Sequence, residues 1–266
     1  MPRKLLIVGG VIAGWAAVSG FVAARTAWRR WGIAPGEAGT PLPGDELVPD
    51  AEEVDTRGID IAAPPSAVWP WLVQMGYGRA GWYSYDQLDT NHPSADRILP
   101  EFQSLAVGDV LPTDPGGGFE VRVVDPERAL VAYIDRSIVE VQRTRPAGSS
   151  DEALEAASAN VRATGAYLDR AVSGEFAASW AFVLEPVDGG TRLIERFRAT
   201  MAPPTSAVGR TTSIPGVARS LLGFGIFVMV RRQMLGIRDR AEGRPIRARP
   251  ARFPWRRPLH EGGKTI

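Results

Sequence analysis

The chain has 266 residues, 44% of them hydrophobic, enough for one sizeable folded domain with attachments. A net charge of +1 excludes a global field that would draw it to nucleic acid. The absence of cysteine excludes disulfides, thiolate metal sites and cysteine nucleophiles.

Residues 5–24, LLIVGGVIAGWAAVSGFVAA, carry no charge, and a helix of this length at about 1.5 Å per residue reaches roughly 30 Å, the core of a bilayer. Arg3 and Lys4 precede the run, and Arg25, Arg29 and Arg30 follow it, with Trp28 and Trp31 where interfacial aromatics belong. Residues 1–31 are therefore expected to form a single-pass cell-membrane anchor, and the larger basic cluster after the run puts the following domain on the cytoplasmic side. The rival reading is a cleaved signal peptide, since Val22-Ala23-Ala24 is rich in small residues. The unbroken length and the Arg/Trp flank favour retention. IVGGVIAG at 7–14 imitates the opening of a dinucleotide fingerprint, but Val11 replaces the middle glycine and no βαβ pattern follows.

Residues 32–53 are rich in Pro, Gly and acidic side chains and read as a linker without regular structure. The folded domain is expected over 54–242. Alternation predicts a first strand at 54–61. Pro64-Pro65-Ser66 predicts a helix start with Ser66 as N-cap and Pro70 still in the first turn, and Gly76 and Gly78 close that helix. A second short helix is expected at 83–89, and strands at 108–112, 119–125 and 129–135. Residues 140–172 form a polar insertion. Its second half spaces Leu154, Val161, Leu168 and Val172 for a separate amphipathic helix.

The clearest hairpin spans 176–200 and turns at Asp188-Gly189-Gly190. Its first strand puts Phe176, Ala178, Trp180, Phe182 and Leu184 on one face. The return strand puts Arg192, Ile194, Arg196 and Arg198 on one side, simplest as a solvated face, and Leu193, Glu195 and Phe197 on the other. Glu195, a carboxylate among inward residues, either lines the cavity and binds a polar ligand group, or sits at a bulge or in an ion pair with an arginine at the cavity mouth. Residues 213–242 predict a long buried helix opened by Pro215. Val217, Leu221, Phe224, Val228 and Leu235 form its stripe, with Gly223 and Gly225 for close approach or ligand room. The remainder, 243–266, is a basic Arg/Pro-rich tail, either disordered or in contact with anionic lipid.

The order is strand, two short helices, several antiparallel strands and a long C-terminal helix. With APPSAVWPWLVQMG, GWYSYD, SADRILPEFQSLAVGD and SWAFVLEPVDGGTRLIERFR, roughly residues 45–242 without the insertion resemble the SRPBCC (START-like, polyketide-cyclase-like) superfamily. More narrowly they resemble a bacterial branch in which an N-terminal membrane helix also occurs. The resemblance implies an α+β helix-grip fold, a curved antiparallel sheet around the long C-terminal helix that encloses an apolar cavity. Here one transmembrane helix would precede it. The family supplies no universal catalytic residue. Its members include lipid and hormone carriers, aromatase/cyclases and ring-hydroxylase subunits, and the iron site of the last has no counterpart in this sequence.

Aromatic and polar residues mix between 64 and 109 as they do in one wall of an apolar pocket. The cavity candidates are Trp71, Trp82, Tyr83, Tyr85, His92, Trp180, Phe182, Glu195, Phe197 and Phe224. No catalytic residue is assigned, and no metal or cofactor is expected, because His92 has no second histidine at ligand spacing and Ser84 lies in no GxSxG elbow. The expected partners are an apolar small molecule and membrane lipids, with no nucleic acid. Binding or transfer of a lipid, polyketide or isoprenoid is the leading expectation. The alternative is a cyclase- or dehydratase-like enzyme, which requires at least two of Tyr83, Tyr85, His92, Asp96 and Glu195 to converge within hydrogen-bonding reach.

Overall fold

A computed structural model of the chain describes residues 25–89, 92–114, 117–144, 176–201 and 216–246. The expected membrane run 5–24, the insertion helix 151–172, the helix start at Pro215 and the tail beyond 246 lie outside the described residues. Among the described residues no helix is long and apolar enough to cross a membrane.

Six antiparallel strands form one sheet: β1 (Glu53–Ile61), β2 (Val110–Asp114), β3 (Gly117–Asp125), β4 (Ala129–Asp135), β5 (Phe176–Val187) and β6 (Gly190–Met201), in the spatial order β1-β6-β5-β4-β3-β2. Helix α1 (Pro65–Val73) follows β1, α2 (Arg136–Thr144) follows β4, and α3 (Gly216–Ala241) follows β6. The fold is α+β, with the C-terminal helix laid across one face of the sheet as a helix-grip requires. One continuous core joins Ile59 and Ile61 of β1, Leu130 of β4, Phe182 and Leu184 of β5 and Leu193 of β6 to Val68 and Leu72 of α1 and to Val230, Met234 and Ile237 of α3.

The expected strands all form. The β5–β6 hairpin turns over two residues, with Val187 paired to Gly190, and Gly189 carries the positive φ of 81° that the turn demands. Helix α1 starts two residues earlier than expected. Pro64 is the capping residue and Pro65 the first helical one, so Ser66 is inside the helix and makes no cap; proline's fixed φ starts the helix instead. Pro70 falls in the second turn, not the first. The short helix expected at 83–89 is only a turn, in which Leu88 and Asp89 N–H both reach the Tyr85 carbonyl. Tyr83 holds a left-handed φ of 58°, which breaks a helix at its start.

The arginine row of β6 is covered, not solvated. Arg196 donates to the Asp45 carboxylate at 2.7 Å and to the carbonyls of Thr40 and Ala38 at 2.9 Å each. Arg192 holds Glu37 at 2.8 Å, and Arg198 holds the Val48 carbonyl at 3.1 Å. Residues 32–50 carry only two short 3-10 turns, Glu37–Gly39 and Asp45–Leu47. Backbone that makes no ladder of its own needs outside partners, and the guanidinium forks supply them. Leu42 adds an apolar contact with Val183 and Ile194 on this outer face.

The buried stripe of α3 also differs from the expected one. Val230, Met234 and Ile237 are buried, whereas Val228 and Leu235 are half-buried and Phe224 is 45% exposed. The run 224–230 is nearly all apolar, so its own period does not single out a face. Gly223 and Gly225 face open space, and close approach occurs at Gly236 instead, where a β-carbon would overlap the Tyr83 carbonyl oxygen. That contact lets the 76–83 loop sit directly on the helix.

Candidate functional site

The site is built on the inner face of β5 and β6. Side chains alternate along a strand, so Trp180 and Phe182 on β5 point to the same face as Glu195 and Phe197 on β6. Trp180 is paired with Phe197 and Phe182 with Glu195 across the ladder. Trp82, from the loop after α1, stacks on Trp180 with centroids 5.4 Å apart and planes at 27°. Phe119 of β3 lies 5.8 Å from the Trp180 ring and Phe182 lies 5.0 Å from it. Trp82 and Phe182 are buried, while Trp180, Phe119 and Phe197 remain partly open. The result is an aromatic wall facing the C-terminal helix.

A charged group lies beneath it. Glu195 is fully buried; its Oε1 accepts the Trp180 indole N–H at 2.8 Å and its Oε2 accepts from Arg57 Nη1 at 3.0 Å. Arg57 is equally buried and also donates to Asp55 at 2.7 Å and, through Nε, to the Trp28 carbonyl at 3.3 Å. Burial pushes the Glu195 carboxyl above the usual carboxylate range, although the Arg57 charge pulls the other way. Burial opposes the Arg57 charge too, but the Glu195 and Asp55 carboxylates outweigh it and keep the guanidinium protonated. Glu195 makes an ion pair with an arginine, which is buried with it and not at a cavity mouth as expected, and the β5–β6 register has no bulge.

A second group of candidates packs behind the wall, between α1 and α3. Trp71 and Tyr83 meet edge to face at 5.9 Å. The Tyr83 hydroxyl donates to the Trp71 carbonyl at 3.1 Å and accepts from Gln74 Nε2 at 3.0 Å. The Arg240 guanidinium covers its ring at 4.5 Å. Burial raises the Tyr83 pKa above its ordinary value, so the phenol stays neutral. These contacts hold a bulky residue in the left-handed region at a cost of order 1–3 kcal/mol.

The structure thus gathers Trp82, Trp180, Phe182, Glu195 and Phe197 in one place, and Trp71 with Tyr83 in another. Tyr85 is half-buried in the 83–89 turn, His92 is exposed, and Phe224 packs edge-on against Trp28 at 5.3 Å near the start of α3. Of the acid/base candidates, Glu195 and the Tyr83 hydroxyl are held in structural bonds at different places, and His92 and Asp96 are at the surface. Among the described residues no three His, Asp or Glu side chains gather to hold a metal ion.

Three residues with structural weight escaped the sequence reading. Arg57 shares strand parity with Ile59 and Ile61, and that parity was the available signal of an inward arginine. Gln74 is fully buried and binds Tyr83, the Arg97 carbonyl, the Leu99 N–H and Gln103; nothing in its neighbourhood of sequence announces this. Asp89 has an inward carboxylate whose pKa burial raises to about 7, against hydrogen bonds from Ser84 and the Tyr85 backbone that lower it.

No family model matches the chain, and no curated protein matches it. Similar solved structures include a protein from Mesorhizobium loti, at 14% identity and a TM-score of 0.35, covering 73% of this chain and 100% of that one. Another is the di-domain ARO/CYC StfQ from the steffimycin biosynthetic pathway, at 14% identity and a TM-score of 0.34, covering 74% of this chain; the present chain spans 52% of StfQ. A third is a polyketide-cyclase-like protein from Corynebacterium glutamicum, at 14% identity and a TM-score of 0.25, covering 71% of this chain and 87% of that one. At these identities and TM-scores the similarities carry no argument about what this chain does, and the architecture rests on the strand order and the helix described above.

Proposed function

We propose that the protein is a membrane-anchored module that binds or transfers an apolar small molecule of lipid, polyketide or isoprenoid type. The observation that supports this most is the aromatic wall. Trp180, Phe119 and Phe197 lie on the helix-facing side of the sheet and yet stay partly open. Partly open aromatic surface inside a fold costs free energy unless something apolar covers it, and a few fixed polar groups beside it orient what binds. The Trp180–Glu195–Arg57 chain of hydrogen bonds fixes the wall in place without leaving a free acid or base. Binding is therefore preferred to acid/base turnover. The anchor is residues 5–24, whose uncharged length matches a bilayer.

The test is native mass spectrometry and solvent extraction of the full chain purified from membranes. A defined apolar molecule at fixed stoichiometry is expected. Protein that carries none, and takes up none when offered long-chain fatty acid, would overturn the proposal.

A further inference from the structure

One end of the sheet gathers the starts of β1 and β5 and the ends of β4 and β6. Glu53 of β1 pairs with Ala199 of β6, and Phe176 of β5 pairs with Met201, so the start of β1, the start of β5 and the end of β6 share that end. Asp135, the last residue of β4, pairs with Ala177, so α2 leaves from the same end. Arg25 contacts Glu53 at 3.8 Å, which brings the junction with residues 1–24 there as well. Helix α3 also has its first half at this end, because Trp28 meets Phe224 while the far terminus reaches Ala62 through Glu242 at 2.8 Å. The opposite end holds the β5–β6 turn.

This end carries an apolar surface that nothing described covers. Phe224 is 45% exposed and Ile226 47%, two residues apart and so about 200° apart around the first half of α3, whose later half is buried on one side. Trp28 and Trp31 pack beside them against Phe224 and Phe227. Exposed cations flank the patch: Arg30, and Arg231, whose guanidinium lies 5.1 Å from the Trp31 ring centroid. Tryptophan beside arginine around exposed aliphatic and phenylalanine side chains is the chemistry of a lipid headgroup boundary. The uncharged run 5–24 ends one residue before Arg25, at this same place.

We propose that this end of the grip, through Phe224 and Ile226, docks into the surface of the bilayer, so that the aromatic wall opens toward lipid and not toward water. The inference rests on the membrane-anchor reading and adds the orientation of the domain. An anchor alone, followed by a tether, would let the domain tumble. Here Arg29 binds Asp55 at 2.5 Å and Gly58 N–H binds the Trp31 carbonyl at 3.0 Å, so the chain just after the run is fixed to β1.

The chain has no cysteine, so single replacements Phe224→Cys, Ile226→Cys and, at the opposite end, Val187→Cys (43% exposed in the wild type) each give one labelling site in the full chain. Each variant is labelled with an environment-sensitive nitrobenzoxadiazole probe, reconstituted into phosphatidylcholine/phosphatidylglycerol vesicles, floated, and quenched from the lipid with doxyl-lipid or from water with iodide. Expected is flotation of all three. Probes at 224 and 226 should show blue-shifted emission and several-fold stronger doxyl quenching than the probe at 187. If Phe224→Cys disturbs Trp28, Ile226→Cys alone decides the matter. A chain that floats with 224 and 226 quenched by iodide as readily as 187 overturns the docking while leaving the anchor intact. Probes shielded from both quenchers mean that the chain covers its own patch, which also overturns it. A chain that does not float overturns the anchor and the docking together.

Discussion

Replacing Arg57 by methionine is the sharpest probe of the site. Methionine keeps most of the volume but removes the three hydrogen bonds to Glu195, Asp55 and the Trp28 carbonyl. Glu195 is then left with the Trp180 indole N–H alone, in a place with no solvent access. A buried carboxylate without its partner takes up a proton, and the cost of that proton at pH 7 follows from the ordinary carboxyl value of 4.5. It is about 3 kcal/mol at 1.36 kcal/mol per pH unit, in the range of about 3–5 kcal/mol for breaking buried pairs. The sign follows from the direction of the shift. A carboxyl whose folded pKa is raised gives its full stability below 4.5 and loses it as pH climbs toward the folded value. The wild-type carboxyl is already raised and loss of the Arg57 charge raises it further, so the deficit of Arg57→Met against wild type grows with pH and has an upper bound of about 3 kcal/mol at pH 7. In Arg57→Met/Glu195→Gln, an amide still accepts from Trp180 and has nothing to titrate, so most of this pH dependence should vanish. Urea unfolding of the full chain in detergent micelles, followed by tryptophan fluorescence at both pH values, measures all three. A deficit that does not grow from pH 5 to pH 7 would refute the buried pair and with it the view of Glu195 as a structural residue.

Two further outcomes follow from the same structure. Gly236→Ala should destabilise by about 1–3 kcal/mol because the added carbon meets backbone at Tyr83, whereas Gly223→Ala, facing open space, should gain up to about 1 kcal/mol from helix propensity; opposite signs in thermal unfolding are the check. Asp89→Asn should remove a loss of stability that wild type suffers as pH rises from about 4 to about 7, a raised carboxyl being most favourable below its unfolded pKa, and the gain at pH 7 has an upper bound of roughly 4 kcal/mol. An unchanged pH profile in the asparagine variant would show that the carboxylate is solvated.

Much of the strand layout is legible in the sequence, because alternation is a local property. The 176–200 hairpin can be read from its period and its Asp-Gly-Gly turn, and Glu195 can be placed on the inward side by parity alone. Parity also makes Arg57 inward on β1, but it does not reveal that the two meet, since they are 138 positions apart and only the β1–β6 register brings them together. The arginines of β6 illustrate the same limit from the other side. Their alternation is visible, yet whether the face they make is wet depends on residues 32–50 lying across it, and a Pro/Gly-rich segment has no period that shows where it docks.

The C-terminal helix separates the two kinds of information most clearly. Composition alone makes 216–241 an apolar helix too short in its uncharged part to span a bilayer. Which side it buries was decided by what surrounds it. The loop carbonyl at Tyr83 needs the missing side chain of Gly236, and Met234 and Ile237 beside it are buried, whereas Ile226, on the same stripe by helical period, is exposed. Local chemistry sets the element and the direction of its side chains. Burial is a property of the neighbour, and the neighbour is supplied only by contacts distant in sequence.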